Sequence, residues 1–575
     1  VKPFVAHVVG EGLEAVGLLE PERTHALTEA LPVGAIVAVP ASAEEGVEVL
    51  ADPDTARARL YRILARNGVD PIHPGPVLAE AAAFQAAPGI DDPSLVNRCD
   101  LPFVTIDNDD SLDLDQALCV ERAGEGYRVY YALADAAHYV RPGSALIEES
   151  LQRGTSYYLP SLCVPMLPPV LSEDLVSLNP NVDRRSLLFV LDLDAEGRST
   201  RTTLERARIR SRAKLSYPGV QDYHDAPAGH DLSGKDFTES LDLLRVVGEL
   251  RIALSRARGV VEYNRSELSL SLEPGGARFE VGVRDRNEVE RWNEQISLLC
   301  NMEGAELLER GAALEYVQPV FRVHPAPLHR RLDELEGIIR AVVEHRGLSE
   351  DWRWRREKEE LAAYLERLGT LPPQPRVFAT IRRQIRYANR ASTFQADVGR
   401  HHALGVDGYA RFSAPMREVV GIFTHKEGLE RLGLAAPSDA QADEALRKRA
   451  INAANAAKKR QNAMTKAAVG LAIEQLLRDE LELSPEDRPV RVGAVFGLRS
   501  SKLYMALDDF PIELKVYRDD LEAAYGCRYA LNKAGSCLGP VEGAEAPAFG
   551  LGDEIRIRTR DYDPERRRWT FEILT

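Results

Sequence analysis

Apolar and polar residues alternate with the period of two expected of strands across "DLPFVTID", "YRVYYALADAAHYV", "SLLFVLDLDAEG" and "STRTTLERARIRSRAKLSY". Long helical patterns then take over in "KDFTESLDLLRVVGELRIALSRARG", in "NEVERWNEQISLLCNMEGAELLERG" and beyond Arg411. Strands followed by helices in this order predict an α+β domain. Pro/Asp-rich "LSPEDRP" near residue 485 reads as a linker. After it, "VRVGAVFGLRSSKLYMALDD", "PIELKVY" and "GDEIRIRTRDYDPERRRWTFEIL" return to period two between turn residues, the pattern of a small five-stranded barrel such as an OB-fold. Residues 1–92 are Ala/Val/Glu-rich and aromatic-poor. There "DTARARLYRILARNG" and "PVLAEAAAFQ" predict two short helices across a Pro/Gly turn, as in a helix-turn-helix or winged-helix nucleic-acid-binding module, although two helices and a turn are common in many folds. The predicted fold is thus multidomain α+β, with a small N-terminal domain at 1–92, a mixed sheet with helices at 93–487 and a barrel at 488–575.

Composition narrows the class. At 575 residues, with 44% hydrophobic and 28% charged residues, the chain suits a folded protein of two to four domains. Its six cysteines form no CxxC pair and have no His partner at zinc spacing, which predicts reduced thiols and no structural zinc. No apolar run approaches the roughly 20 residues that span a bilayer, and the first residues lack signal-peptide character, so we expect a cytoplasmic protein that does not engage membranes.

A net charge of −16 argues against a surface coated in phosphate-binding lysines. Local basic stretches nevertheless stand out. "RKRAINAANAAKKRQNAMTK", Arg447 to Lys466, holds seven basic residues and no acid, and "RVFATIRRQIRYANR" adds Arg376, Arg382, Arg383, Arg386 and Arg390, several of them on one helical face. Each could equally be a solvated helix face or a phosphate track.

The densest charge is of the opposite sign. "TIDNDDSLDLDQAL" places five aspartates in nine residues at the end of a predicted strand. Such carboxylates raise one another's pKa unless something offsets them. Asp107, Asp113 and Asp115 interleave with Leu112 and Leu114, which predicts that the leucines turn one way and the carboxylates converge on the other. That pattern favours a metal site over a solvated loop. An EF-hand fails, because the positions that need Gly and Glu are Leu112 and Leu118. Oxygen ligands without His or Cys favour Mg²⁺, with Mn²⁺ as a substitute. Metal-assisted phosphodiester hydrolysis is the leading chemistry.

These same residues carry a resemblance. "TIDNDDSLDLDQAL" is similar to the signature of the RNB, or ribonuclease II, family of exoribonucleases. "YVRPGSALIEESLQRGTSYYLPSLCVPMLPPVLSEDLVSLNP", "SRAKLSY", "ERWNEQISLLCNMEGAEL", "FRVH" and "HHALGVDGYARFSAPMR" follow where that family's later motifs fall. The resemblance covers about residues 93 to 470, with the terminal barrel also in place. It implies an RNB catalytic domain and Mg²⁺-dependent, processive 3′-to-5′ hydrolysis of single-stranded RNA. The products would be nucleoside 5′-monophosphates and a short oligonucleotide. No obligate protein partner is implied, and we expect a monomer.

By the same resemblance Asp107, Asp113 and Asp115 would hold the metal, with Asp115 the most needed for catalysis. Gln116 stands where the family has a fourth aspartate, and its amide oxygen can ligate a cation without bringing charge. Arg417, in "SAPMR", would meet the scissile phosphate as charge develops there. Tyr158 of "SYYLP" would stack near the RNA 3′ end and set the product length. Tyr217 and Glu294 would hold the terminal nucleotides, where the 2′-OH separates RNA from DNA. Glu294 and Asn301, seven residues apart, predict one wet helix face, while Trp292, Ile296 and Leu299 predict the packed one. No aromatic stands near Ser269, where the family has its second stacking residue. The alternative reading is a catalytically weak RNA-binding protein of the same fold. A metal-dependent phosphodiesterase for DNA or small nucleotides is weaker, because basic helices and a barrel suit a long single strand.

Overall fold

The computed structural model describes residues 2–42, 46–261, 266–311, 316–532, 535–541 and 545–574. Its N-terminal part is a five-stranded antiparallel sheet. Strands β1 (Phe4–Val9), β2 (Glu14–Gly17), β3 (Thr24–Ala26), β4 (Ile36–Val39) and β5 (Glu48–Ala51) lie in the order β3-β2-β1-β4-β5 around Ala6, Val8, Ala35 and Val37. The two predicted helices follow it as α1 (Ala56–Arg66) and α2 (Gly75–Ala86). They do not form a helix-turn-helix: α1 packs on a long C-terminal helix, and α2 packs on the helix at Ala145–Arg153. The helix-turn-helix expectation is corrected to a β module whose strands of three to six residues are too short to show a clear alternation.

Next comes a sheet built from β6 (Val96–Asn97), β7 (Phe103–Asp107), β8 (Gln116–Ala123) and β9 (Gly126–Ala134), followed by helices α3 (Ala136–Tyr139) and α4 (Ala145–Arg153). The hairpin of β10 (Tyr157–Leu159) and β11 (Leu162–Val164) intervenes before β12 (Asp183–Leu193) and β13 (Ser199–Ser216) complete it. Strand β13 is 18 residues long and pairs with three strands. Its first part pairs antiparallel with β12 up to Arg210; from Ser211 it runs parallel to β7. Because β12 also pairs with β9, the ring β12-β9-β8-β7-β13 closes on itself, leaving β6 parallel to β13 outside it. Closure removes the free edges of these five strands.

Helices cover this barrel from both sides. Helix α5 (Tyr217–Asp225) leaves β13 directly, and α6 (Thr238–Ala257) precedes the hairpin β14 (Glu267–Leu272) and β15 (Phe279–Arg284). Helix α7 (Glu288–Gly311) then packs with α6 on one apolar cluster, through Leu244, Val247, Trp292, Ile296 and Leu299. After β16 (Phe321–Val323) come α8 (His329–Arg346), α9 (Leu361–Leu368), α10 (Pro375–Ala388) and β17 (Thr393–Gln395), and then α11 (Val419–Arg431). Helix α12 (Ala440–Leu481) is a 42-residue spine capped by Asp439, whose side chain accepts from Ala442 N–H. Its alanine stripe, Ala450, Ala454, Ala457, Ala468 and Ala472, permits close approach along the middle of the helix. At Gly154, which ends α4 with φ +77°, a Cβ would lie 2.6 Å from the Ala453 carbonyl oxygen, so only glycine lets the chain pass α12 toward Tyr158.

The C-terminal strands form the predicted barrel. Strands β18 (Arg491–Arg499), β19 (Lys502–Leu507) and β20 (Glu513–Tyr517) precede α13 (Arg518–Tyr525). Short strands β21 (Tyr529–Leu531), β22 (Cys537–Pro540) and β23 (Phe549–Gly550) follow, then β24 (Glu554–Asp563) and β25 (Arg568–Leu574), with the main sheet ordered β20-β19-β18-β24-β25. This unit shares one apolar core with α8, α9 and α10, in which Ile339, Ile381 and Ile385 cluster with Val495, Leu503 and Ile557. Helix α10 is tied to it by Arg376 on Asp508 and Glu554 and by Arg383 on Glu513. The arginines read as one side of a phosphate track are therefore partly committed to holding the barrel. No described helix is long and apolar enough to cross a membrane.

Candidate active site

The parallel register of β7 and β13 sets Asp107 opposite Ser216, and Tyr217 opens α5 one residue later. Strand pairing alone thus brings the tyrosine beside the first aspartate. Tyr217 Oη accepts from Asn293 Nδ2 at 3.1 Å. Burial, and after it the charge of Asp107, pushes the Tyr217 hydroxyl up to about 12, which keeps it neutral.

The loop from Asp107 back into β8 is pinned by its one buried apolar residue. Leu114 donates its N–H to Ser177 Oγ at 3.0 Å and accepts from Leu178 N–H at 3.0 Å, so the flanking carboxylates project from a fixed backbone. Asp113 Oδ2 accepts the Tyr158 hydroxyl at 3.1 Å. Asp115 is 1% exposed; its Oδ1 accepts from Met416 N–H at 2.9 Å, and its Oδ2 is paired with Arg417 Nε. Burial raises Asp115 to about 6 despite Arg417, and burial raises Asp113 too. Burial also works against the charge on Arg417, but the carboxylates of Asp115, Asp113 and Asp107 overcome it and keep the guanidinium protonated.

Arg417 and Tyr158 are strapped together through backbone. The Arg417 carbonyl accepts from Ser156 N–H at 2.9 Å and from Thr155 Oγ1 at 2.7 Å. From the other side, Gln461 of α12 bonds both backbone groups of Tyr158. Tyr158 as a residue remains 44% exposed, while its hydroxyl tip lies on Asp113.

Six predicted residues therefore converge: Asp107, Asp113, Asp115, Tyr158, Tyr217 and Arg417. Gln116 is different. It faces the barrel interior with Leu118 and Leu133, and its Oε1 accepts the hydroxyl of Tyr131, which is 1% exposed. Glu294 lies on α7 next to Asn293 and accepts from Arg286 Nη2 at 3.1 Å, lining a cavity of about 550 Å³ with Ser255 and Asp285. Asn301 corrects the expectation of a wet face. It is fully buried, donating to Tyr409 Oη and Ser413 Oγ at 2.9 Å and accepting from the N–H groups of Phe412 and Ser413, and so it fixes the segment that leads to Arg417. Ser269 sits on β14 opposite Gly282, with no aromatic at that register. Sequence reasoning missed Asn293, Tyr131 and Gln461 as contributors, although Gln461 lies inside the basic stretch it singled out.

The oxygen-only donors Asp107, Asp113 and Asp115 suit a hard cation. With both Asp115 oxygens already bonded and Asp113 on Tyr158, they fit a small ion that keeps several waters rather than one demanding six to eight protein oxygens. A tighter acidic trio exists elsewhere among the described residues, Glu427, Glu430 and Asp443, but the Lys426 ammonium already contacts all three carboxylates.

A closed five-stranded barrel carrying convergent aspartates and an arginine, flanked by two smaller β modules, defines the architecture. The RNB domain family matches residues 97–426, more than half of the chain, and the protein belongs to that family. Ribonuclease R of Escherichia coli K12 is 29% identical over 338 residues, 58% of this chain and 39% of that protein. Ribonuclease R of Thermotoga maritima is 28% identical over 390 residues, 66% of this chain and 52% of that one. The chain thus spans about half the length, or less, of these curated relatives. Among solved structures, Mycoplasma genitalium RNase R in complex with ribose-methylated single-stranded RNA superposes with a TM-score of 0.82 at 18% identity, covering 100% of this chain and 90% of that one. Yeast Ssd1, described as a pseudonuclease, reaches 0.61 at 15%, covering 93% and 67%. These likenesses show a shared fold.

Proposed function

We propose that this chain is a Mg²⁺-dependent exoribonuclease that hydrolyses single-stranded RNA processively from the 3′ end, leaving nucleoside 5′-monophosphates and a short oligonucleotide. The observation that carries this reading is the pairing of buried Asp115 with the part-exposed Arg417 guanidinium beside Asp113 and Asp107. It sets a protonated guanidinium against three carboxylates in one place, as a phosphodiester and a cation together require. Asp107, Asp113 and Asp115 would hold Mg²⁺, with Gln116 joining only if its oxygen leaves Tyr131. When bound, the ion supplies an activated water and stabilises the leaving oxygen. Arg417, oriented by Asp115, directs its guanidinium to the scissile phosphate and matches the charge that grows there. Tyr158 presents its ring to the terminal bases, and Tyr217 and Glu294 meet the 3′ nucleotide. The RNA complex of the Mycoplasma relative supports RNA as the partner.

Gln116 in place of an acid, its oxygen taken by Tyr131, is the observation that favours a weakly catalytic RNA-binding protein instead. One experiment separates the two. 5′-Labelled single-stranded RNA, incubated with and without Mg²⁺ and resolved to single nucleotides, should shorten only with the ion and accumulate one short product. Tight binding without shortening would establish the alternative.

A further inference from the structure

Behind Arg417 and Tyr158 lies a second cavity, of about 250 Å³, whose charge is unbalanced. Four cations line it, Arg322, Arg411, Arg417 and Lys458, against the single carboxylate of Glu418. Arg417 is paired with Asp115 and Arg411 with Glu418 at 3.0 Å. Arg322 and Lys458 form no ion pair among the described residues and share the Glu418 charge with Arg411 only at longer range. Both instead turn to one serine: Lys458 Nζ donates to Ser392 O at 2.9 Å and Ser392 Oγ at 2.8 Å, and Arg322 Nε donates to the same hydroxyl at 3.2 Å. The two Nη groups of Arg322 have no hydrogen-bond partner among the described residues. Burial, with Arg322 as the next cause, lowers Lys458 to about 8, a sign that the two cations repel across the pocket. Part-buried cations that outnumber the carboxylates beside them, four to one here, are costly, and the cost falls away when an anion joins them.

We propose that Arg322 and Lys458 form a second phosphate-binding subsite, which takes a backbone phosphate of the RNA strand next to the one that Arg417 meets. This rests on the exoribonuclease reading. The cavity is smaller than the roughly 300–1,000 Å³ of pockets that enclose whole small molecules, which favours a phosphate of a passing strand over a complete free nucleotide. Continuity with the reacting centre comes through Tyr158 and Arg417, which line both.

The test uses the full chain in EDTA, so that RNA binds uncut. Fluorescence anisotropy with a labelled single strand compares wild type with Arg322→Gln across a salt series. The variant should bind five- to tenfold more weakly, and its log-log salt slope should shrink by about 0.7, the increment for one phosphate of a single strand. In wild type, a neutral methylphosphonate scanned through the last five linkages should reproduce that loss at one position and add nothing to it in Arg322→Gln. Arg322→Lys should restore the slope, and Lys458→Gln should lower it, so a folding defect in one variant does not decide the question. Unchanged affinity and slope in Arg322→Gln and Lys458→Gln would overturn the subsite. So would a methylphosphonate penalty that persists in full in Arg322→Gln. Loss of competition by adenosine 5′-monophosphate with RNA binding intact would instead assign the pocket to the released nucleotide and overturn the strand assignment. Failure of wild type to bind or shorten RNA would remove the parent reading, a result distinct from all of these.

Discussion

The side-chain amide of Gln461 pairs with the backbone of Tyr158 as a neighbouring strand would: its Oε1 accepts the Tyr158 N–H at 3.0 Å, and its Nε2 donates to the Tyr158 carbonyl at 2.8 Å. Tyr158 lies on a three-residue edge strand, so a residue on α12 does what a missing strand would have done. The hydroxyl of that tyrosine reaches Asp113, which makes Gln461 a positioning residue for both the stacking ring and the carboxylate. Gln461→Ala removes both hydrogen bonds to Tyr158, each worth about 1 kcal/mol, along with one to Thr465 Oγ1 on the same helix, and frees the ring. We expect the end product to spread over at least one additional length while the initial rate on long RNA falls less than threefold. Gln461→Glu keeps the acceptor and should recover part of the effect. A single unchanged end product on a sequencing gel would show that Gln461 does not position Tyr158.

Asp115→Asn should leave RNA affinity within about threefold of wild type and slow turnover by three or more orders of magnitude. An asparagine can still accept from Met416 N–H, but its amide would then face Arg417 donor to donor, and the charge needed for the cation is gone. Single-turnover cleavage and filter binding measure the two quantities separately. Near-normal cleavage would sink the assignment of this site.

Gln116→Asp tests whether the fourth position touches the metal. If it does, the added carboxylate should lower the Mg²⁺ concentration for half-maximal rate severalfold. Tyr131→Phe, which releases the Gln116 oxygen, should act in the same direction but less. A requirement unchanged in both variants would confine Gln116 to a structural bond inside the barrel.

The sequence carried the acidic loop and the terminal barrel because both are written locally, as five aspartates in nine residues and as period-two runs after residue 490. The expected alternation of the loop is corrected in part: Leu114 is buried, but Leu112 is 56% exposed and Asp115 turns inward to Met416 N–H and Arg417. What it could not carry were pairings across the chain. Asp115 and Arg417 are 302 residues apart, and Gln461 meets Tyr158 across 303. Asn301 shared a helix side with Glu294, but whether that side is wet depends on the Tyr409–Ser413 segment folding over it. The N-terminal sheet was missed for a different reason. Its short strands are broken by turns, while the alanine-rich helices after it keep a clear period.

Acid should destabilise the fold through its buried histidines. Burial lowers His73 and His401 to about 3 and His425 to about 4, against about 6.5 when unfolded. Below 6.5 the unfolded chain binds more protons than the native one, so the stability these residues contribute is complete above that pH and is lost as pH falls toward 4 and 3. At pH 5 each costs about 2 kcal/mol. Melting temperatures measured from pH 7.5 to 5 should fall steadily. His425→Gln, whose amide can still donate to the Phe412 carbonyl, should flatten the slope. An identical slope in the variant would mean that His425 is protonated in the native state.

Two basic helices that looked alike in sequence should behave differently toward RNA. On α12, Lys448, Lys459 and Lys466 are exposed, without ion pairs among the described residues, and fall within about 20° of one another at 100° per residue. They form a stripe roughly 27 Å long at 1.5 Å per residue, the length of several nucleotides. On α10, Arg383 is spent on Glu513 and lies 4.2 Å over the Phe496 ring, itself 4% exposed. Neutralising Lys459 and Lys466 together should therefore weaken long RNA and reduce the salt slope by about 0.7 for each residue, leaving the end product unchanged. Arg383→Gln should leave the slope alone and instead lower the melting temperature, since it loosens the joint between α10 and the barrel. Deleting residues 490–575 is the poorer probe, because it would strip the shared core and expose Ile381 and Ile385. Filter binding across a salt series, with thermal melts of the same proteins, decides between the roles. A reduced slope in Arg383→Gln with unaltered melting would return α10 to the phosphate track, and an unaltered slope in the double lysine variant would remove α12 from it.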